Sequence, residues 1–172
     1  MAEMTYSWIG KNVERKMLIL YLNMESGREG PERWKPVGIG TPDSSMEYDW
    51  GEESKTDIFG NTYTTLKTPV VSQSFDPWPL GIEDDAQKLI WANAIAEQDV
   101  SAVANYDLLV VHTYVTNDDG NAFAERYKKS MVKPSRLGGS SVVDMALDVT
   151  FGGERYIGNA VIEGETITFN EA

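Results

Sequence analysis

The chain has no cysteine. That excludes disulfides, thiolate zinc sites and cysteine nucleophiles, and it fits synthesis in a reducing cytoplasm. It has one histidine, His112. One histidine cannot build the usual zinc sets, so a metal site would need carboxylates. No apolar run approaches the roughly 20 residues that span a bilayer. The start, Met1-Ala2-Glu3-Met4-Thr5, lacks a basic region followed by an apolar stretch, so neither a secretory signal nor a membrane role is expected. There is no Walker A loop, no Gly-x-Gly-x-x-Gly, no Gly-x-Ser-x-Gly, no internal repeat and no low-complexity tract. Basic residues are scarce: 15 Lys+Arg stand against 27 Asp+Glu, a net charge of -12. Tight binders of DNA neutralise phosphates with Lys and Arg, so this chain either ignores nucleic acid or stays close to it without adhering.

What is present reads as one mainly β domain over 1–172, with 41% hydrophobic and 24% charged residues. Lys16 to Asn23 is a short apolar run of strand length, and Arg33 to Ile39 returns after a polar turn. Ser45 to Trp50 alternates Met46, Tyr48 and Trp50 against Glu47 and Asp49, a strand with an acidic face. The segment of about 42–66 reads as a long hairpin or extended loop, and long ordered loops are usually functional. Thr68 to Phe75 is a further strand. Asp84 followed by Gln87 is a capping-box arrangement, and Ala86, Leu89, Ile90 and Ala94 form a helical stripe, which predicts a helix over about 83–97. Strands follow at Tyr106 to Val115, Ala122 to Lys133, Val142 to Phe151, Arg155 to Ile162 and Thr166 to Phe169, with Pro134 to Ser141 as a loop. Asn117-Asp118-Asp119-Gly120 is a tight-turn signal and lacks the spacing of a calcium loop. The pattern is a β-sandwich or barrel with one flanking helix.

Chemistry-bearing constellations are weak. His112 lies mid-strand with no visible nucleophile partner, which favours a structural role. Among 27 acids some carboxylates will always lie close together, so paired acids alone do not indicate a hydrolase. Trp34, Trp50, Trp78 and Trp91 suit a core or subunit interface better than a sugar platform. Arg126, Lys128, Lys129, Lys133 and Arg136 form a short basic cluster. Lys128 and Lys129 should point to opposite strand faces, which argues against a nucleic-acid groove.

The order of elements resembles the tail tube proteins (major tail proteins) of long-tailed, non-contractile bacteriophages of Gram-positive bacteria. The likeness runs from about Trp8 to Ile162. It is carried by Trp34-Lys35-Pro36-Val37-Gly38-Ile39-Gly40, by the acidic stretch Ser45 to Asp57 with Phe59-Gly60-Asn61, and by Thr68 to Phe75 ending in Asp76-Pro77. The helix, Tyr106 to Val115, Phe123 to Lys133 and Gly152-Gly153-Glu154-Arg155-Tyr156-Ile157-Gly158-Asn159 complete it. The shorter tube proteins of contractile tails are less similar in detail, which argues against a sheath partner.

The resemblance implies a non-enzymatic virion protein without cofactors. Six copies form a ring, and rings stack helically into a hollow tube that conducts the genome into the host. The protein would be made in the host cytoplasm and reside in the virion tail. Partners would be further copies of itself, then tape-measure and tail terminator or tip proteins, with DNA passing through unbound. Six subunits at -12 carry 72 negative charges per ring, and acids facing inward would keep DNA mobile. Asp144, Asp148 and Glu125 are the lumen-facing candidates. Glu47, Asp49, Trp50, Glu52, Glu53, Asp57 and Phe59 are the candidates for inter-ring and inter-subunit contacts. Tyr106 to Val115 and Val142 to Phe151 are long enough to line a continuous barrel, with open strand edges pairing between copies. The rival readings are a carbohydrate-binding or decoration β-sandwich of a virion, and a two-carboxylate hydrolase.

Overall fold

A computed structural model describes residues 5–81 and 83–172. The elements run β1 (Ser7–Trp8), a 3-10 turn (Arg15–Met17), β2 (Leu18–Asn23), β3 (Trp34–Pro36), β4 (Met46–Asp49), β5 (Glu53–Thr56), β6 (Thr62–Thr65) and β7 (Val70–Pro79). Then come α1 (Asp85–Trp91), a π-helical turn (Ala92–Ala96), α2 (Val100–Val103), β8 (Tyr106–Thr116), β9 (Ala122–Gly138), β10 (Asp144–Thr150), β11 (Glu154–Glu163) and β12 (Thr166–Glu171).

Strand β9 organises the molecule. Its first half pairs with β8 on one side and β11 on the other. Its second half pairs with β10, which leads on to β7 and β4. One strand thus serves two sheets: β3-β2-β8-β9-β11-β12, and β9-β10-β7-β4. The changeover falls at Lys129, whose φ of 55° interrupts the pleat. Ser130, fully buried next to it, donates its hydroxyl to the Tyr127 carbonyl and accepts the Gly152 N–H (2.8 Å). A Cβ on Gly152 would stand 1.9 Å from the Lys128 carbonyl oxygen, so only glycine fits there. The sequence suggested a loop from Pro134; the strand instead continues to Gly138 because β10 supplies a partner along it.

The first sheet buries both faces. Leu108 to Val111 on β8 are each at most 1% exposed, which explains why that stretch reads as continuous apolar sequence instead of an alternation. Leu20, Leu22, Leu108, Val110 and Tyr127 face Met145, Leu147, Val149, Phe75 and Trp78 of the second sheet. On the opposite face Tyr21, Trp34, Leu109, Val111, Ala124, Ala160 and Ile167 form another cluster. Arg126 of β9 sits 5.4 Å from the Trp34 ring and 6.0 Å from the Phe169 ring. Those rings belong to the two end strands of the sheet, so the sheet curls over Arg126 towards a barrel. Arg126 donates to Asp107 (2.5 and 3.0 Å) and to Glu32. Burial alone would lower its pKa, but Asp107 and then Glu32 outweigh that and keep it charged.

The flanking helix starts at Asp84, whose carboxylate accepts the Gln87 N–H at 3.1 Å. The capping box is half made: the Gln87 side chain turns to the Gly81 N–H and the Pro79 carbonyl instead. Ala86 and Ile90 of the expected stripe are fully buried and dock on the inter-sheet core. The helix widens into the π turn and stops at Glu97, and α2 follows with its own cap, Asp99. The helix expected over about 83–97 is thus two pieces, α1 and the π turn, and α2 lies beyond its end.

Leu147, fully buried between the sheets, tests this packing. Leu147→Ala should cost about 2–5 kcal/mol, read as a lower urea midpoint at an unchanged slope.

Candidate assembly surfaces

Two surfaces gather most of the residues singled out from the sequence. The first is the outward face of the second sheet. Along β10, Met145, Leu147 and Val149 point into the core, so Asp144 and Asp148 point out. The register sets Asp148 between Ser74 and Lys133, with the Ser74 hydroxyl donating to it at 3.2 Å. Asp144 meets Arg136 at 2.6 Å, and the same guanidinium reaches Asp76 at 2.8 Å. Glu47 of β4 lies across from Ser72 on this face, with Asp49 two residues on. The face therefore presents Glu47, Asp49, Asp76, Asp144 and Asp148 against Lys133 and Arg136, and it is net negative.

Glu125 does not join that face. It is 5% exposed and lies at the polar end of the space between the sheets. Its Oε2 accepts from His112 Nε2 (2.8 Å), and its Oε1 accepts from Arg155 (2.6 and 2.9 Å) and from the Tyr127 hydroxyl (3.1 Å). The acceptor-only carboxylate puts a proton on His112 Nε2, and Nδ1 pairs with the Tyr114 hydroxyl at 2.8 Å. Burial would raise the Glu125 pKa, but the hydrogen bonds from His112 and Arg155, with the Arg155 charge, hold it below the usual value of 4.5. The protomer offers no surface at this acid, because its register partner on β8 is Val110, inside the core. Strand β8 likewise presents no free face along Leu108 to Val111.

The second surface is the β5–β6 hairpin. Its strands pair only with each other among the described residues. Asp57 closes the turn: its Oδ1 accepts the N–H groups of Phe59 (2.8 Å) and Asn61 (2.9 Å), and its Oδ2 accepts from Asn61 Nδ2 and the Tyr63 hydroxyl. The Asn61 N–H, then the Asn61 side chain, Phe59 and Tyr63, keep the Asp57 carboxyl below its ordinary range. Gly60, at φ 79°, supplies the left-handed residue the turn requires. Ser54–Thr64 and Thr56–Thr62 hydroxyl pairs brace the strands. The Lys67 N–H donates to the Trp50 carbonyl (2.9 Å), which shuts the base, and Lys67 pairs with Glu53 (3.2 Å). Trp50 stacks on Tyr48 at 6.5 Å. Ile58 is 93% and Phe59 82% exposed at the tip. Glu52 is exposed at the hairpin's entry. A two-stranded hairpin alone in water is marginal, and this one holds bare Ile58 and Phe59 at its tip.

The basic cluster is dispersed. Arg126 is half-buried and engaged by Asp107 and Glu32, Lys129 pairs with Glu154, and Arg136 is shared by Asp76 and Asp144. Trp34 and Trp78 are buried while Trp50 and Trp91 sit half-exposed on separate elements, so no tryptophan platform forms. Among the described residues no group of three His, Cys, Asp or Glu could hold a metal ion, and no helix is long and apolar enough to cross a membrane. Among the described residues strands β4 and β12 each have one partner, leaving an open edge.

No protein-family model matches the chain, and no curated protein matches it in sequence. Solved structures do match in fold. A chain of the sheath–tube complex of the extracellular contractile injection system PVC, in the extended state, aligns with a TM-score of 0.50 and 11% identity, covering 88% of this chain and 94% of that one. A chain of the sheath/tube terminator of PVC, also extended, aligns with a TM-score of 0.50 and 11% identity over 87% and 98%. The fold is tail-tube-like, a large antiparallel sheet system with a flanking helix.

The Glu125 cluster generates a stability prediction. A carboxyl whose pKa is depressed by folding contributes stability above its unfolded pKa and loses it as pH falls through the folded value. Glu125→Gln should therefore flatten the loss of wild-type stability below about pH 4.3. Glu125→Ala should cost about 3 kcal/mol at neutral pH, the low end for a broken buried pair because half of Arg155 stays in water. Urea midpoints across the pH series measure both.

Proposed function

We propose that this protein is the structural subunit of a tail tube, assembling in rings of six that stack helically around a channel for the genome. The reading is carried by one observation: a tail-tube-like fold holds out an apolar-tipped hairpin that its own core does not use. In this reading the subunit is non-enzymatic and needs no cofactor. Its first partner is another copy of itself, with tape-measure and terminator or tip proteins at the tube's ends. It resides in the tail of a virion after synthesis in the host cytoplasm. A bacteriophage source and a non-contractile tail rest on the sequence resemblance, since the solved structures alike in fold belong to contractile systems.

The acidic outward face of β10, β7 and β4 supports a channel lining. Asp144 and Asp148 lie on it, and Glu47, Asp49 and Asp76 extend the same sign across neighbouring strands. A wall of that sign holds few counterion-releasing contacts for phosphate, so a polyanion slides along it. Glu125 is withdrawn from the lining by its burial. Glu47 and Asp49 thus belong to this face, and the contact role passes to Trp50, Glu52, Glu53, Asp57 and Phe59.

Purified protein at rising concentration should form rings and then tubes in negative-stain images. Replacing residues 52–65 by two glycines keeps the Trp50–Lys67 closure and should leave a folded monomer, by circular dichroism and gel filtration, that forms no tubes. Normal tubes from that variant would overturn the hairpin's role. Tubes of Asp148→Lys should retain added DNA that salt releases, while wild-type tubes retain none. Equal retention would remove Asp148 from the channel.

A further inference from the structure

The hairpin tip is a knob without a hole on its own molecule. Ile58 and Phe59 project from a turn fixed by Asp57, with 93% and 82% of their surface in water. Elsewhere the same chain carries a hole without a knob. Leu80, Gly81, Gln87, Lys88 and Trp91 surround a cup of about 320 Å³ where the end of β7 meets α1. Leu80 is 37% and Trp91 41% exposed, and the lining is mainly apolar. The Leu80 N–H donates to the Val143 carbonyl at 3.0 Å, which ties this end of β7 to the chain entering β10. A tryptophan left half-bare on a helix whose other face is fully buried is an unfinished contact.

We propose that the cup is the receptor for the hairpin tip of a neighbouring copy, with Phe59 seated between Leu80 and Trp91 and Asp57 beside Lys88. This deepens the tube reading and rests on it. Apolarity selects this cup from the other concavities: its lining is the most apolar among them, while one bounded by Arg15, Lys16 and Asp43 offers cations but a more polar wall. The tip carries Asp57, and among the described residues the cup's only ionisable lining group is Lys88, whose Asp85 neighbour stands off at 4.0 Å. A second concavity, near Tyr21 and Ile39, is lined by Glu83, Asp84, Asp85 and Glu165 and would oppose the tip's charge. A third balances Glu25, Glu32, Asp107 and Glu154 with Arg28, Arg126, Lys128 and Lys129, and its lining is more polar than apolar, which does not suit Ile58 and Phe59. Size agrees as well, since the cup is at the small end of the roughly 300–1,000 Å³ that pockets offer their ligands and suits one aromatic ring. Knob and hole lie on different parts of one chain; exchanged reciprocally they would close a dimer, whereas in a tube the contact runs head-to-tail. Such a contact propagates from copy to copy instead of ending in a dimer.

The test uses wild-type protein first. Hydroxyl-radical footprinting compares the free protomer with assembled tubes, and oxidation of both Phe59 and Trp91 should fall several-fold on assembly. The native chain has no cysteine, so Phe59→Cys and Lys88→Cys, both at exposed positions, give a second measurement. Oxidised tubes of the double variant should run as a ladder of multiples on a non-reducing gel, and a mixture of the two single variants should give dimers. Tubes in which Trp91 stays as reactive as in the protomer, or which oxidise to monomers alone, overturn the contact and leave the tube reading standing. Wild-type protein that remains monomeric at every concentration overturns the tube reading, and this contact with it. If the cysteine variants do not assemble, the footprint of wild-type tubes decides.

Discussion

The structure depends on one strand being shared by two sheets. Strand β9 is hydrogen-bonded to β8 and β11 through its first half and to β10 through its second. The handover requires a residue out of the pleat, Lys129, and a buried hydroxyl, Ser130, that satisfies the backbone groups the irregularity frees. It also requires Gly152, because the β10–β11 turn passes so close to the Lys128 carbonyl that no side chain fits. The consequences spread from there. The inter-sheet core exists because β9 turns the second sheet over the first, and the outward direction of Asp144 and Asp148 is fixed by the same turn.

Burial divides the acids of this chain into two kinds. Asp107 and Glu125 are inside and fully engaged, the first by Arg126 and Asn23, the second by His112, Arg155 and Tyr127. Their charge is spent on fixing strands β8, β9 and β11 in place. Asp144, Asp148, Asp76, Glu47 and Asp49 are outside, and Lys133 and Arg136 do not match them in number. Asp144 and Asp76 share Arg136, so among the described residues Asp148, Glu47 and Asp49 are the acids of this face without an ion pair and project its field furthest, since a charge paired within the fold is largely cancelled there.

The hairpin stands apart from both. Its order comes from Asp57, from hydroxyl pairs and from the Trp50–Lys67 closure, and none of these reaches the core. Folding and association are thereby placed on different residues. Leu147, Trp78 and Ile90 hold the protomer together, while Ile58 and Phe59 are costly in water until something covers them.

Local signals were plain in the sequence. Asp84 with Gln87 marked the helix start, Asn117 to Gly120 marked the β8–β9 turn, and the alternation from Val143 to Phe151 gave β10 its inner and outer faces. Those features follow from residues a few positions apart, where side-chain size, φ preference and period act directly. The same alternation could not separate Glu125 from Asp148, since period 2 assigns a residue to one of two faces and does not say which face is covered. It could not carry β9 through Pro134 to Gly138, because a strand's length is set by the partner beside it. Nor could it reveal the helix's π turn or the second cap at Asp99. Composition and period determined that the chain is an acidic, mainly β protein with one helix and a long exposed loop. Tertiary structure alone decided which acids are bonded and which are bare, because that depends on what lies across the sheet, and sequence order does not record it.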